Sequence, residues 1–238
     1  MKSSWETTKV DGNTMRLFVA QPDGAGPFPG VLVIQHRDGV DGFVEEMTKR
    51  VATAGYFAAA LDLYHRDAPD CKDDGATRMT RLRDTHVIQD VNAAIDFLKG
   101  HRSVQAQKLG IVGFCMGGRV VCLTAPGNPD LKAAVSYYPG GMFASWGEGT
   151  PPIDRLKEMA CPLLGHFGED DKFPTLDEMR KIDAELTKHD KFHEFHTYAN
   201  AGHAFMNFHG QSYRPKADEA SWPRSVAFLN KYLGGRQG

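Results

Sequence analysis

Short apolar runs alternate along this chain with longer segments in which apolar residues recur every three or four positions. The uninterrupted runs predict strands buried on both faces of a sheet, and the longer segments predict helices that cover it. Together they predict an α/β fold with a mostly parallel central sheet and helices on both faces. The predicted strands are 30–35, 56–63, 108–112, 132–138, 162–167 and 192–198, and the predicted helices are 43–54, 80–98, 175–189, 216–233 and one that opens at 119–124.

The N-terminal segment departs from this alternation. Two runs of alternating polar and apolar residues, 5–10 and 14–20, flank the turn-forming sequence Asp11-Gly12-Asn13. Such a turn between two alternating runs favours a hairpin. We therefore expect an antiparallel pair of strands at one edge of the sheet.

The run 109–112 leads into Gly113-Phe114-Cys115-Met116-Gly117-Gly118, after which a helix is predicted. A strand, a one-residue corner and a helix form a nucleophile elbow, which needs small residues two positions before and after the corner. Gly113 and Gly117 meet this need, the corner residue is Cys115, and Gly-x-Ser-x-Gly occurs nowhere in the chain. A nucleophile here would be a thiol, although a buried free cysteine is often only a small hydrophobic residue.

Two further candidates follow other predicted strands. Asp171 lies just after the strand 162–167, and His203 lies in the loop after the last strand. Nucleophile, acid and histidine in this order is the chain order of α/β-hydrolases, and the carboxyl ends of parallel strands meet at one edge of a sheet. The thiol needs a base, and the imidazole needs a carboxylate. Asp170 and Glu169 compete with Asp171 as solvated turn carboxylates, and His203 could be an ordinary loop histidine.

These segments resemble the dienelactone hydrolase (carboxymethylenebutenolidase) family over nearly the whole chain. The resemblance implies an α/β-hydrolase fold and a catalytic triad of Cys115, His203 and Asp171. It favours Asp171 over Asp170, because the family's Gly-x-x-Asp spacing, counted from Gly168, ends there. The segments that carry the resemblance are the elbow, Phe167 to Phe173, Ala201 to Phe205, and Asp62-Leu63-Tyr64.

The resemblance also implies an oxyanion hole made by the backbone N–H groups of Met116 and Arg37. The family typically has a carboxylate where this chain has His36, and an arginine where it has Asn207. A protonated His36 beside the sulfur would tune the nucleophile by favouring the thiolate, or His36 would only brace the loop that presents the Arg37 N–H. The scaffold and triad carry over, whereas dienelactone specificity does not.

Composition and charge limit the classes of partner that this protein is expected to bind. The chain has 238 residues, 41% of them hydrophobic, enough to bury the core of a single domain spanning 1–238. With 28 Lys+Arg against 30 Asp+Glu, neither nucleic acid nor a membrane is an expected partner. The N-terminus lacks a signal-peptide pattern, which predicts a cytoplasmic protein.

The cysteines and histidines indicate neither disulfides nor a metal site. Reduced thiols are expected because this is not a small disulfide scaffold, and no residues have metal-ligand spacing, so neither a metal nor another cofactor is predicted. The four cysteines are Cys71, Cys115, Cys122 and Cys161.

The sequence thus predicts a carboxylic ester hydrolase that cleaves small esters or lactones through an acyl-enzyme on Cys115. The alternative is a non-catalytic ligand-binding or redox-responsive protein on the same scaffold. Arg78, Arg81 or Arg83 could bind a substrate carboxylate bidentately, or these three arginines could form a solvated helix face. We expect a monomer or small homo-oligomer. The candidate substrate-binding residues are Tyr64, Arg78, Arg81, Arg83 and Asn207.

Overall fold

An eight-stranded sheet runs through the computed structural model, which describes residues 1–68 and 70–234. The strands are β1 (Lys2–Val10), β2 (Asn13–Gln21), β3 (Phe28–Ile34), β4 (Phe57–Leu61), β5 (Val104–Phe114), β6 (Leu131–Tyr137), β7 (Leu163–Gly168) and β8 (His193–Tyr198). They are ordered β1-β2-β4-β3-β5-β6-β7-β8. The pairs β1–β2 and β2–β4 are antiparallel, and all the other pairs are parallel. The mostly parallel sheet and the N-terminal hairpin are confirmed.

Helices cover both faces of the sheet. They are α1 (Gly42–Thr53), α2 (Gly75–Met79), α3 (Asp84–Gly100), α4 (Met116–Thr124), α5 (Pro152–Arg155), α6 (Leu176–Lys188) and α7 (Pro215–Leu233), with a 3-10 turn at Leu156–Glu158. Apolar side chains of α1 and α7 pack on one face, and those of α3, α4 and α6 pack on the other. Alternate residues of β3 therefore enter different cores, with Val31 and Val33 in one and Leu32 and Ile34 in the other.

The hairpin turn has the backbone that its sequence favours. Asp11 and Gly12 both have positive φ, 49° and 78°, and Val10 pairs with Asn13. Positive φ at both central residues is the type I′ geometry that matches the twist of the two strands.

Two short helices lie where the sequence analysis predicts no helix. Helix α2 precedes the helix predicted at 80–98, and its N-terminus is capped by Asp74, whose side chain accepts a hydrogen bond from the Thr77 N–H at 2.8 Å. The long helix expected from residue 80 consequently begins at Asp84. Helix α5 begins in the Gly/Pro-rich segment with Pro152 in its first turn, where a proline loses no intrahelical bond.

A buried hydrogen-bond network lies beneath the ends of β6 and β7. His166 is fully buried, and its ring nitrogens lie 2.8 Å from the Tyr198 hydroxyl and 2.9 Å from the Ser225 hydroxyl. Tyr137 stacks on the imidazole, with ring centroids 4.4 Å apart, and its hydroxyl lies 2.7 Å from that of Ser225. Burial, reinforced by the charges of His196 and Arg224, holds the pKa of His166 well below its usual value.

This depressed pKa predicts that the fold loses stability in acid. Above pH ~6.5 His166 is neutral in both the folded and the unfolded protein. Below that pH the histidine of the unfolded chain binds a proton, whereas folded His166 stays neutral. We expect its contribution to the free energy of unfolding to fall as the pH is lowered from 8 to 5. Urea unfolding at both pH values should show a smaller loss for His166→Gln than for wild type and for the exposed-site control His86→Gln. Equal losses in all three proteins would contradict the assignment.

Candidate active site

Cys115 lies at a sharp corner between β5 and α4. Its backbone has φ 58° and ψ −119°, a conformation that L residues rarely adopt. A side chain at Gly113 would collide with the carbonyl of Gly117, and one at Gly117 would collide with the carbonyl of Ile34. The two glycines thus let the helix start directly against the sheet, which is the backbone requirement of a nucleophile elbow.

The structure brings Cys115, His203 and Asp171 into one hydrogen-bonded chain. Nε2 of His203 lies 2.9 Å from Sγ of Cys115, and Nδ1 of His203 lies 3.0 Å from Oδ2 of Asp171. The Asp171 side chain is 1% exposed, whereas that of His203 is 35% exposed. The imidazole therefore joins a buried carboxylate to a thiol that borders a cavity.

The neighbouring carboxylates are placed differently. Asp171 turns inward, and its Oδ1 accepts a hydrogen bond from the Phe173 N–H at 2.8 Å. Asp170 is exposed at the cavity, and Glu169 accepts a hydrogen bond from the Thr197 hydroxyl at 2.9 Å. Of these three residues, only Asp171 contacts His203.

The environment of His203 favours its charged form. Burial by itself lowers the pKa of His203, but hydrogen bonds to Asp171 and Cys115, together with their charges, outweigh it and raise the pKa to about 10. An imidazolium that persists at neutral pH beside a sulfur is the arrangement that stabilises a thiolate.

Met116 and Arg37, whose backbone N–H groups are the predicted oxyanion donors, line the same cavity as the thiol. Met116 is the first residue of α4, and Arg37 lies in the loop after β3. Among the residues that the structure describes, neither N–H donates to another group of the protein. Neither N–H is therefore committed to an acceptor within the described part of the protein.

The cavity has a volume of about 690 Å³ and largely apolar walls. Met79, Ala144, Trp146 and Phe173 contribute apolar surface, and Phe173 is 55% exposed at the cavity. Its polar lining includes Arg37, Asp38, Asp170, Lys172 and Asn207. A cavity of this size accommodates a small organic substrate.

One wall of the cavity is held by a buried ion pair between Arg119 and Asp84. The guanidinium binds the carboxylate through two hydrogen bonds, of 2.7 and 3.0 Å. It also donates to the backbone carbonyls of Gly141 and Ala144, at 2.9 and 2.7 Å, and lies 3.8 Å from the ring centroid of Trp146. Arg119 thereby connects the helix after Cys115 to the loop that contributes Gly140, Gly141, Ala144 and Trp146 to the cavity. We did not predict this pair, although an arginine one turn beyond the elbow, among apolar residues, was an available signal.

His36, which was predicted to tune the nucleophile, does not form a hydrogen bond with the sulfur. His36 lines the cavity, but its Nε2 lies 2.9 Å from Oδ2 of Asp41, in a contact not aligned as a regular hydrogen bond, and its ring packs edge-on against Phe43. Only His203 is hydrogen-bonded to the sulfur of Cys115 among the described residues.

Tyr64 and the three candidate arginines border a separate, smaller pocket rather than this cavity. Arg78 and Arg81 are both paired with Asp67, and Arg83 donates to the backbone carbonyls of Thr80 and Leu82. Of the candidate substrate-binding residues, only Asn207 lines the cavity.

Residues 1–68 and 70–234 contain no group of three or more His, Cys, Asp or Glu side chains placed to hold a metal ion. Within the same residues, no helix has the length and apolar composition needed to cross a membrane. The four cysteines are free thiols.

The eight-stranded sheet with its elbow defines an α/β-hydrolase fold. The model of the dienelactone hydrolase family matches residues 15–233, and the chain belongs to that family and is a hydrolase of esters or lactones. A crystal structure from Klebsiella pneumoniae, named as a dienelactone hydrolase, superposes with a TM-score of 0.89 at 29% identity and covers 98% of this chain and 100% of its own.

Two curated relatives also match over most of their length. A Bradyrhizobium protein, named as a 2-oxo-3-(5-oxofuran-2-ylidene)propanoate lactonase, is 31% identical over 98% of this chain and 96% of its own. A Methylorubrum extorquens protein, named as a carboxymethylenebutenolidase, is 32% identical over 90% of this chain and 75% of its own.

The Arg119–Asp84 pair generates a stability prediction. Asp84→Asn leaves a buried guanidinium without its counter-charge and should lower the free energy of unfolding by about 3–5 kcal/mol. The double variant Arg119→Met/Asp84→Leu removes both charges and should recover part of that loss, because the carbonyls of Gly141 and Ala144 then lack their donor. The matched control is Asp130→Asn, which breaks the exposed pair with Lys99 and should cost less than about 1 kcal/mol. Urea unfolding measures all three, and equal losses for Asp84→Asn and Asp130→Asn would contradict the prediction.

Proposed function

We propose that this protein hydrolyses small esters or lactones through a thioester acyl-enzyme formed on Cys115. The thiolate of Cys115 attacks the substrate carbonyl, and the carbonyl electron pair moves onto oxygen. The backbone N–H groups of Met116 and Arg37 donate hydrogen bonds to that oxyanion. As the carbonyl re-forms, the C–O bond to the leaving group breaks, and Nε2 of the His203 imidazolium gives its proton to the departing oxygen.

The second half of the reaction returns the enzyme to its starting state. Neutral His203 takes a proton from a water molecule as that water attacks the thioester carbonyl, and the collapse of the second tetrahedral intermediate expels the Cys115 thiolate. Asp171 accepts a hydrogen bond from the Nδ1–H of His203 throughout, which fixes the ring orientation and stabilises the imidazolium. With a lactone, the leaving oxygen stays tethered to the acyl group, and one hydroxy acid is released.

The observation that carries this proposal is the hydrogen-bonded chain from Sγ of Cys115 through His203 to Asp171, with spacings of 2.9 and 3.0 Å, at the wall of the 690 Å³ cavity. The nucleophile, the base and the residue that orients the base lie within hydrogen-bonding distance before any substrate binds. The apolar walls favour an acyl or leaving group with apolar surface, and the lactone substrates in the names of the relatives agree with this class.

The other substrate-site assignments stay predictions. Asn207 lies at the cavity and is the candidate for a hydrogen bond to substrate. A carboxylate clamp formed by Arg78, Arg81 or Arg83 would require these side chains to leave their present partners. Tuning of the thiol by His36 also stays a prediction, since the polar contacts of His36 are with Asp41 and Asp38 rather than with the sulfur.

Replacing the thiol tests the proposal. Cys115→Ala should lower kcat/KM for p-nitrophenyl acetate by at least about 1,000-fold, because the attacking atom is lost, while the free energy of unfolding stays close to wild type. Intact-mass analysis of wild type under single-turnover conditions should show one acetyl group, which peptide mapping places on Cys115.

The matched control is Cys71→Ala, which removes another thiol that is partly accessible but lies away from the cavity. It should leave both activity and the adduct unchanged. Full esterase activity in Cys115→Ala would overturn the proposal, and the absence of any acyl adduct in wild type would contradict the acyl-enzyme.

A further inference from the structure

The hydroxyl of Tyr64 contacts both residues that we assign to the oxyanion hole. It donates a hydrogen bond to the backbone carbonyl of Arg37 at 2.6 Å, and it lies 3.6 Å from Sδ of Met116. Tyr64 is 3% exposed and lies outside the lining of the substrate cavity. The side chain therefore contacts the oxyanion residues from outside the substrate cavity.

The ring of Tyr64 is fixed by its neighbours. The Arg78 guanidinium lies 4.2 Å from the ring centroid, and its Nε donates to Asp67 at 2.7 Å. The Tyr64 N–H donates to Oδ1 of Asp62 at 2.9 Å. Burial raises the pKa of the phenol, which therefore remains a donor over the working pH range. These contacts leave the hydroxyl little freedom to move away from Arg37.

The whole segment after β4 packs against the loop after β3. The Leu63 N–H donates to the side-chain oxygen of Gln35 at 3.0 Å. Gln35 directly precedes the His36-Arg37-Asp38 loop. Gly75, the first residue of α2, packs so closely that a Cβ there would collide with the carbonyl of Arg37. The same carbonyl is thus held by Tyr64 and covered by α2. The Arg37 backbone has no such support from its own loop, in which the only backbone hydrogen bond, Gly39 N–H to His36 O, spans Arg37.

We infer that Tyr64 is a positioning residue of the oxyanion hole. Its hydrogen bond fixes the backbone at Arg37, and its contact with Met116 sets the spacing between the two N–H donors. Removing the hydroxyl would release the carbonyl of Arg37, so that the φ and ψ of this residue could change and its N–H, in the preceding peptide unit, would no longer be held towards the developing oxyanion. This inference rests on the proposed function, because it concerns a step in which a carbonyl oxygen becomes charged.

Complete loss of one oxyanion donor typically costs about 100- to 1,000-fold in kcat, and a misaimed donor retains part of that effect. We therefore expect Tyr64→Phe to lower kcat for p-nitrophenyl acetate by about 10-fold with little change in KM. The affinity for an aryl trifluoromethyl ketone, whose adduct with the thiol bears an oxyanion, should fall by a similar factor. Alkylation of Cys115 by iodoacetamide should be unaffected, because that displacement develops no oxyanion.

The matched control is Tyr56→Phe. Tyr56 is also buried, and its hydroxyl forms one side-chain hydrogen bond, to Asn230, but it precedes β4 and so lies at the opposite end of the sheet from the site. Both variants lose one buried hydroxyl and should lose comparable stability. Only Tyr64→Phe should change kcat and the affinity for the ketone.

The two proposals fail in different ways. If wild type forms the acyl adduct on Cys115 and Tyr64→Phe forms it equally fast, the positioning role is overturned and the proposed function stands. If Tyr64→Phe slows alkylation as much as acylation, the residue supports the thiol rather than the oxyanion hole, which also overturns the inference. If wild type forms no adduct at all, both proposals are overturned.

Discussion

The geometry of the site depends on parallel strand pairing that continues beyond the ends of the strands. The Cys115 N–H donates to the carbonyl of Tyr137 at 3.1 Å, which joins the elbow to β6. The Tyr138 N–H donates to the backbone carbonyl of His166 at 2.8 Å, and the Glu169 N–H donates to the backbone carbonyl of Tyr198 at 3.0 Å. These three bonds connect in sequence the segments that present Cys115, Asp171 and His203. The positions of the functional side chains are thus set by the same backbone ladder that holds the sheet together.

Burial and charge then decide how this geometry behaves chemically. Asp171 is nearly inaccessible to solvent, so its attraction for the His203 ring is little screened. The ring has a charge partner on each side, and together they outweigh the cost of burying the imidazolium. The Arg119–Asp84 pair acts on a different feature, the cavity wall, through hydrogen bonds to backbone carbonyls of the loop after β6. One end of α4 therefore presents the sulfur and the next turn holds the wall beside it.

Sequence reasoning captured the features that depend on local pattern and chain order. The glycines around Cys115 report a backbone requirement, and the chain order of Cys115, Asp171 and His203 places them after β5, β7 and β8, whose carboxyl ends lie at one edge of the sheet. Features set by the paths of long loops could not be predicted. Tyr64 meets Arg37 only because the segments after β3 and β4 pack together, and no spacing along the chain encodes that contact. Arg78 and Arg81 looked equally available for substrate in the sequence, whereas their pairing with Asp67 depends on how the segment between β4 and α3 folds.

The central claim is that Asp171 and the sulfur of Cys115 hold His203 in its protonated form, and an NMR titration of the His203 ring tests it most directly. We predict that the ring signals of wild type titrate with a midpoint near pH 10, and that Asp171→Asn lowers the midpoint because it removes a hydrogen-bonded charge. A midpoint near the ordinary histidine value of ~6.5 in wild type, or one unchanged in Asp171→Asn, would contradict the account.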